Sequence, residues 1–426
     1  EGVERAHHGG DHVVRVVEAR HLLLAQAKLH SPGLQGVPLQ GLEMLPQPCE
    51  LSRAGVRPGL LPRRVAADHE APRILHRIHR ASLVHRPAQV HAATLIAQIG
   101  IAHTHATKAV VPEARELLER LDVTLVGIHE PDAEMLAERG GREVWRDVTW
   151  LEEPETILDD ESISAIFIET WPWDCIEWGR RAIEAGKHIH LDKPPGASVE
   201  PLKELYDAAG KNGLFVQMGY QWRFNPGLEL MQKWVADGLL GHVNFARFRA
   251  GSTPEYYHRN HVYRYQGGIM IEENCHLFDQ VAWMFGRAAS ITPFMRQVAH
   301  GFENMPDGTD LGMVVFDYPD QGALAVIEGT SLETDPGPHR RVEIHGTNGS
   351  IILEPIEPPH IELCLREPKP PYRAGWQSVE VEDRPRYLGD LEEFIGVVRG
   401  ECAPRFSVAH DMIVQEMLIE ACGGMR

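Results

Sequence analysis

From Thr94 to Met218 the chain repeats one pattern: a short apolar run, a turn marked by Gly, Pro or Asp, then a segment whose apolar residues recur at helical spacing. Runs at Thr94 to Ile99, Val123 to Ile128, Ala165 to Ile168, His188 to Leu191 and Leu214 to Met218 read as strands, with a shorter one expected around Val144 to Val148. Helical periodicity covers Lys108 to Arg120, Ala133 to Arg139 behind a capping Asp132, Asp174 to Ala185 up to Gly186, and Val199 to Lys211 behind Ser198. Strands joined through helices cannot pair as hairpins. They lie parallel, with the helices covering both faces of the sheet. The expected fold class is therefore α/β, a doubly wound parallel sheet of the Rossmann type over residues 93–218.

Past Asn225 the alternation stops. Helices are expected at Gly227 to Ala236 and Cys275 to Phe285, among strand-like runs at Val243 to Arg249, Leu311 to Phe316, Ala323 to Gly329, Arg340 to His345, Ser350 to Leu353, Ile361 to Leu365 and Ser378 to Val381. Thr347-Asn348-Gly349 is a hairpin turn, and two helices, Tyr387 to Arg399 and Val408 to Cys422, close the chain. Residues 219–426 are thus expected to form an α+β domain on a mostly antiparallel, open sheet.

Residues 1–92 have a different texture. All the aromatic residues lie from Trp145 onward, while the first 92 residues hold 10 of the 24 His and 11 Arg against one Lys. Apolar runs such as Val13 to Val17 settle into no sustained period, so no domain is expected there. The bias matches a G+C-rich sequence translated outside its coding frame or upstream of its start; the rival reading is a module binding metal through His7, His8 and His12. The whole chain carries 42 basic and 61 acidic side chains, a formal charge of −19 that repels phosphate backbones and anionic lipid surfaces. Nucleic-acid and membrane partners are not expected, no apolar stretch reaches the roughly 18 residues of a membrane span, and a cytoplasmic protein is expected. The six cysteines are scattered without a C-x-x-C pair, so reduced thiols are expected.

Four constellations carry chemistry. Gly100-Ile101-Ala102-His103-Thr104-His105 lies between the first strand and its helix, where a dinucleotide fold places G-x-G-x-x-G, with Ala102 and His105 in the second and third glycine positions. Glu130 ends the second strand, where a carboxylate accepts from ribose hydroxyls and repels a 2′-phosphate, favouring NAD over NADP. Lys193, followed by Pro194-Pro195, ends another parallel strand and points its ammonium toward the crevice at that edge. Glu272, His276 and Asp279, after Gly267-Gly268, fall at i, i+4 and i+7, on one face if a single helix spans them; that would make His276 an acid/base tuned by carboxylates.

Taken in order, the glycine turn, Glu130, Ala185-Gly186-Lys187-His188 to Lys193-Pro194, Gly219 to Pro226, and Gly267-Gly268 to His276 and Asp279 resemble the Gfo/Idh/MocA oxidoreductases over about 94–424. The resemblance implies hydride transfer between a nicotinamide cofactor and the carbinol carbon of a sugar, polyol or related hydroxy compound. It implies a homodimer or homotetramer formed through the C-terminal sheet. Lys193, His276 and Glu272 would be catalytic. Gly100, Ala102, His103, His105, Glu130, Thr170, Trp171 and Lys193 would hold the cofactor, and Arg223, Asn225, Tyr263 and Asp279 would line the substrate pocket. Asp192 stands in place of the family's Glu, Asn274 in place of a Gly, and Cys175 where many members have His. The eroded glycine turn leaves a second reading, a catalytically silent ligand-binding relative. A third is a metal-dependent hydrolase using His103 and His105 on a barrel; the leading reading assigns no metal ligand.

Overall fold

A computed structural model of the chain describes residues 94–102, 112–259, 261–299 and 308–424. The cofactor assignments at His103 and His105, and everything expected of residues 1–92, lie outside the described residues.

The first sheet contains β1 (Thr94–Ile99), β2 (Val123–His129), β3 (Ile163–Ile168), β4 (His188–Leu191) and β5 (Val216–Met218). Its order is β2-β1-β3-β4-β5 and every pairing is parallel. Its helices are α1 (Pro112–Arg120), α2 (Ala133–Arg139), the short α3 (Glu155–Leu158), α4 (Cys175–Glu184) and α5 (Glu200–Lys211). β1 and β3 read as nearly unbroken apolar runs because both faces are covered, as a parallel sheet requires. Asp132 caps α2, accepting from Glu134 N and Met135 N.

Two local expectations fail here. Val144 to Val148 is no strand: Glu143–Trp145 is a 3₁₀ turn, and the only sheet-like pairing is an isolated bridge between Trp150 and Ile128. Trp145 is buried there by packing against Trp150, which outweighs its strand propensity. α5 starts at Glu200, and Ser198 gives it no side-chain cap.

The second sheet has eight strands in the order β13-β12-β11-β10-β6-β9-β8-β7. They are β6 (Val243–Arg249), β7 (Ser290–Arg296), β8 (Leu311–Tyr318), β9 (Ala323–Thr330), β10 (Arg341–Gly346), β11 (Gly349–Leu353), β12 (Ile361–Leu365) and β13 (Gly375–Val379). All pairs are antiparallel except β6 with β9. β8 and β9 alternate buried and exposed residues along their length, the mark of a sheet covered on one face only. The covered face packs against α6 (Pro226–Ala236), the single-turn α8 (Ile269–Glu272), α9 (Cys275–Phe285) and α11 (Val408–Cys422). α7 (Pro254–Arg259) lies in the β6 to α8 connection.

α10 (Leu388–Val398) leaves this sheet and returns to the first one. Leu391, Phe394 and Ile395 share a core with Ile96, Leu117, Val123 and Phe167. Beneath them a polar contact is sealed in: His190 Nε2 lies 2.9 Å from Asp390 Oδ2, and Gln217 Nε2 donates to Asp390 Oδ1 at 2.6 Å. Among the described residues no helix is long and apolar enough to cross a membrane. Among the described residues, Cys175, Cys275, Cys364 and Cys422 are free thiols.

Candidate active site

The C-terminal edge of the first sheet gathers the predicted cofactor residues. Gly100 adopts φ +93°, a backbone state that disfavours other residues, and a Cβ built on it would lie 2.6 Å from the Glu169 carbonyl and Thr170 N. Only glycine lets β1 turn so close to the end of β3. The turn is pinned on both sides, because Gly100 N donates to His129 O and Ala102 N donates to Glu169 O. Glu130 reaches across from β2: its Oε2 accepts from Ile101 N at 2.5 Å and its Oε1 from Asp132 N at 2.8 Å. Burial pushes the Glu130 carboxyl up to about 7, against those two backbone donors.

Thr170 and Trp171 sit in the loop after β3, against this turn. Trp171 stacks on Trp173 with ring centres 5.1 Å apart, and His261 meets it edge-on at 5.2 Å. Tyr263, assigned to the substrate pocket, belongs to this cluster, its hydroxyl 3.0 Å from His261 Nδ1. Sequence reasoning missed Arg139. It donates to Ala102 O and lies 5.6 Å from the Trp171 ring centre, although at the end of α2 it reads as an ordinary dipole-complementing arginine.

The second gathering is around Lys193 at the end of β4. Its Nζ donates to Glu272 O at 2.9 Å and to Glu272 Oε1 at 3.1 Å, with both side chains 1 % exposed. Burial alone would strip the ammonium of its proton, but Glu272, with Cys275, Glu273 and Asp192, more than reverses that and holds the proton affinity above its ordinary value.

Glu272 therefore serves Lys193, and the single helical face expected for Glu272, His276 and Asp279 is corrected. α8 ends at Glu272, and Asn274 N reaches back five residues to Ile269 O, widening the turn before α9 begins. At Gly268 (φ +50°), where α8 begins, a Cβ would stand 1.8 Å from Thr309 O, so the start of this turn admits only glycine. His276 is buried in the first turn of α9, with Trp222 5.1 Å and Tyr220 6.0 Å from its ring.

Three residues assigned to the substrate pocket make internal contacts. Arg223 Nε and Nη2 donate to Asp279 Oδ1 at 2.9 and 2.6 Å, and Nη2 donates also to Asp411 Oδ1. His410 Nε2 stands 2.9 Å from Asp279, and Tyr206 OH donates to the other oxygen of Asp411 at 2.6 Å. Arg223 and Asp279 thus neutralise each other inside the protein. Burial would raise the Asp279 carboxyl, but Arg223 and His410 hold it below the usual range. Asn225 caps α6, accepting from Gly227 N and Leu228 N, while its amide donates to Ile356 O.

With this geometry in view, residues 96–220 match the model of an oxidoreductase family with an NAD-binding Rossmann fold, and residues 228–352 match the model of the GFO/IDH/MocA C-terminal domain. The chain belongs to the Gfo/Idh/MocA family. Among Gfo/Idh/MocA relatives, an uncharacterized oxidoreductase of Escherichia coli K12, YdgJ, is 27 % identical over 285 residues, 63 % of this chain and 76 % of its own. The scyllo-inositol 2-dehydrogenase (NAD(+)) of Bacillus subtilis is 26 % identical over 285 residues, 65 % of this chain and 77 % of its own. The fold matches an oxidoreductase from Agrobacterium radiobacter, solved with NAD+, L-tartaric acid and magnesium: TM-score 0.63, 15 % identity, 77 % of this chain and 95 % of that one. A Gfo/Idh/MocA architecture of two sheets also removes the barrel on which the hydrolase reading depended.

Proposed function

We propose that this chain is an NAD-dependent dehydrogenase acting on the CH–OH group of a sugar, polyol or related hydroxy compound. The observation that carries the reading is the Lys193–Glu272 pair, a protonated ammonium held in the interior at the sheet edge that also presents the Gly100 turn and Glu130. The residues present fit a dinucleotide: the cradle at Gly100 admits only glycine, and Glu130 stands at the end of β2 with its carboxylate turned onto that turn. Gly100, Ala102, Glu130, Thr170, Trp171 and Lys193 would hold it. When bound, the nicotinamide supplies the hydride acceptor.

Within the chain, Lys193 orients and polarises the reacting oxygen and receives its proton, and His276 is a second acid/base of the site. Glu272 fixes the ammonium in place and keeps it charged. The Trp222 and Tyr220 rings exclude water from the imidazole. The open face of the second sheet exposes Phe294, Leu311, Met313, Leu324 and Trp376, which cross-strand register places on one side. This apolar face supports a homodimer or homotetramer in the reading proposed here.

Two measurements test the reading. In a thermal-denaturation screen, NAD at a hundredfold excess over its Kd is expected to stabilise the chain by roughly 3 kcal/mol, and a polyol or sugar by a further increment. If neither NAD nor NADP raises the melting temperature, the reading falls. The second uses Glu130. A carboxyl moved from 4.5 to about 7 costs the folded state about 3 kcal/mol once fully ionised. Because its folded pKa is raised, the Glu130 penalty is absent below 4.5 and grows as pH rises toward 7. NAD affinity is expected to run the opposite way, increasing through pH 7 as the carboxylate becomes a full acceptor for ribose hydroxyls. Glu130→Gln should flatten both profiles in calorimetry; a variant with the wild-type pH dependence would remove Glu130 from the cofactor site.

A further inference from the structure

Oxidising an alcohol releases a proton as well as a hydride, and the site around Lys193 is closed to solvent. Side-chain exposure then climbs along a set of linked groups, from 1 % at Lys193 and Glu272 to 9 % at Glu273, 19 % at Arg340 and 22 % at Glu357. The links are short. Tyr256 OH lies 2.9 Å from Glu272 Oε2 and 3.3 Å from Glu273 Oε2, and Arg340 Nη2 donates to Glu273 Oε1 at 2.6 Å.

We propose that Glu272, Tyr256 and Glu273 form a proton relay that carries the substrate hydroxyl proton from Lys193 to the surface beside Arg340. The inference rests on the dehydrogenase reading above for its proton source. Its chemical basis is a count of protons. A phenol hydroxyl carries one proton and donates to one carboxylate at a time, so its second contact becomes a hydrogen bond only when that carboxyl is itself protonated. The triad is thus built to hold one proton more than two carboxylates and a phenol possess at rest.

The transfer balances. As the C–H electron pair leaves with the hydride, the hydroxyl proton reaches Lys193 Nζ while Lys193 passes one of its own to Glu272 Oε1. A half-turn of the Glu272 carboxyl presents that proton to the Tyr256 oxygen, Tyr256 hands its own proton to Glu273 Oε2, and Glu273 releases it to water. Lys193, Glu272 and Tyr256 end as they began. Burial foremost, then the neighbouring carboxylates, keeps the Tyr256 hydroxyl protonated and so a donor in the resting state. The other groups facing the triad are Asp192 and Cys275 on the Lys193 side, Tyr265 beside Glu272, and Arg340, Arg386 and Glu357 outside. Burial would raise the Glu273 carboxyl, but Arg340, Lys193 and Arg386 bring it below its ordinary value, which suits a group that must let the proton go.

Tyr256→Phe in the full chain keeps the ring and deletes the relay atom. On a polyol that the wild type oxidises, kcat is expected to fall about tenfold at unchanged KM. The solvent deuterium isotope effect should rise, and imidazole buffer should restore part of the rate, which a packing defect would not allow. Independently of turnover, infrared difference spectra between alkaline and acid buffer should show, besides the Glu130 carboxyl, a buried protonated carboxyl, sensitive to D2O, that moves in Tyr256→Phe and vanishes in Glu273→Gln. If Tyr256→Phe keeps the wild-type kcat, isotope effect and carboxyl band, the relay is overturned and the dehydrogenase reading stands. If NAD binds, the band behaves as described and no hydroxy compound is oxidised, the dehydrogenase reading fails and the triad stands as a proton store without a substrate source.

Discussion

Arg223→Met is expected to cost about 3–5 kcal/mol of stability, because it leaves Asp411 buried without a counter-ion and Asp279 with His410 alone. In thermal unfolding that corresponds to a melting temperature lower by roughly 10 °C. The loss should depend on pH in a direction that marks its origin. In the wild type the Asp279 carboxyl sits below its ordinary value, so its contribution is present above pH 4 and is lost as pH falls. In the variant the same carboxyl is driven up, so the protein is expected to recover stability on acidification and to lose it as pH rises toward neutrality. Adding Asp279→Asn to Arg223→Met should restore part of the deficit, since it removes one stranded charge. A single variant within about 1 kcal/mol of wild type at pH 8 would show that the pair carries no such weight.

The second large effect is on turnover. Lys193→Met keeps the length of the side chain and removes the ammonium, and kcat/KM for the hydroxy substrate is expected to fall about a thousandfold, near 4 kcal/mol of transition-state stabilisation. NAD binding, followed by nicotinamide fluorescence, should weaken far less. The variant also strands Glu272 in the interior, so a folding defect has to be separated from a chemical one. Lys193→Met with Glu272→Gln makes that separation: stability should return while turnover does not. Recovery of turnover in the double variant would take Lys193 out of the chemistry and leave it a structural ion pair.

The sheet architecture could be read in the sequence because burial writes itself into periodicity. Unbroken apolar runs gave the parallel strands, and β8 and β9 carry the alternation of a sheet with one wet face. β7 was not legible, since its side chains are mostly exposed and its SITPFMR sequence holds no clean alternation. Lys193 and Glu130 were legible because position alone, at the end of a parallel strand, gave them a direction. What could not be read is who meets whom. Spacing suggested Glu272 beside His276, yet the helix breaks after Glu272, whose carboxylate pairs instead with Lys193, 79 residues earlier in the chain. Arg340, 67 residues beyond Glu273, carries no local signal at all. The same limit applies to Arg223, whose partners at 279 and 411 convert a seemingly available cation into an internal brace.

The return of α10 onto the first sheet has a consequence for how the chain is made. Phe394 closes over Phe167 and His190, and Asp390 answers His190 and Gln217 from the far end of the sequence. During synthesis, the nucleotide-binding half emerges with one flank of its sheet bare and a histidine lacking its acid until some 170 residues more have left the ribosome. A fragment cut after Tyr220 would keep that greasy flank open to solvent and to other nascent chains, so the first half of the protein matures last.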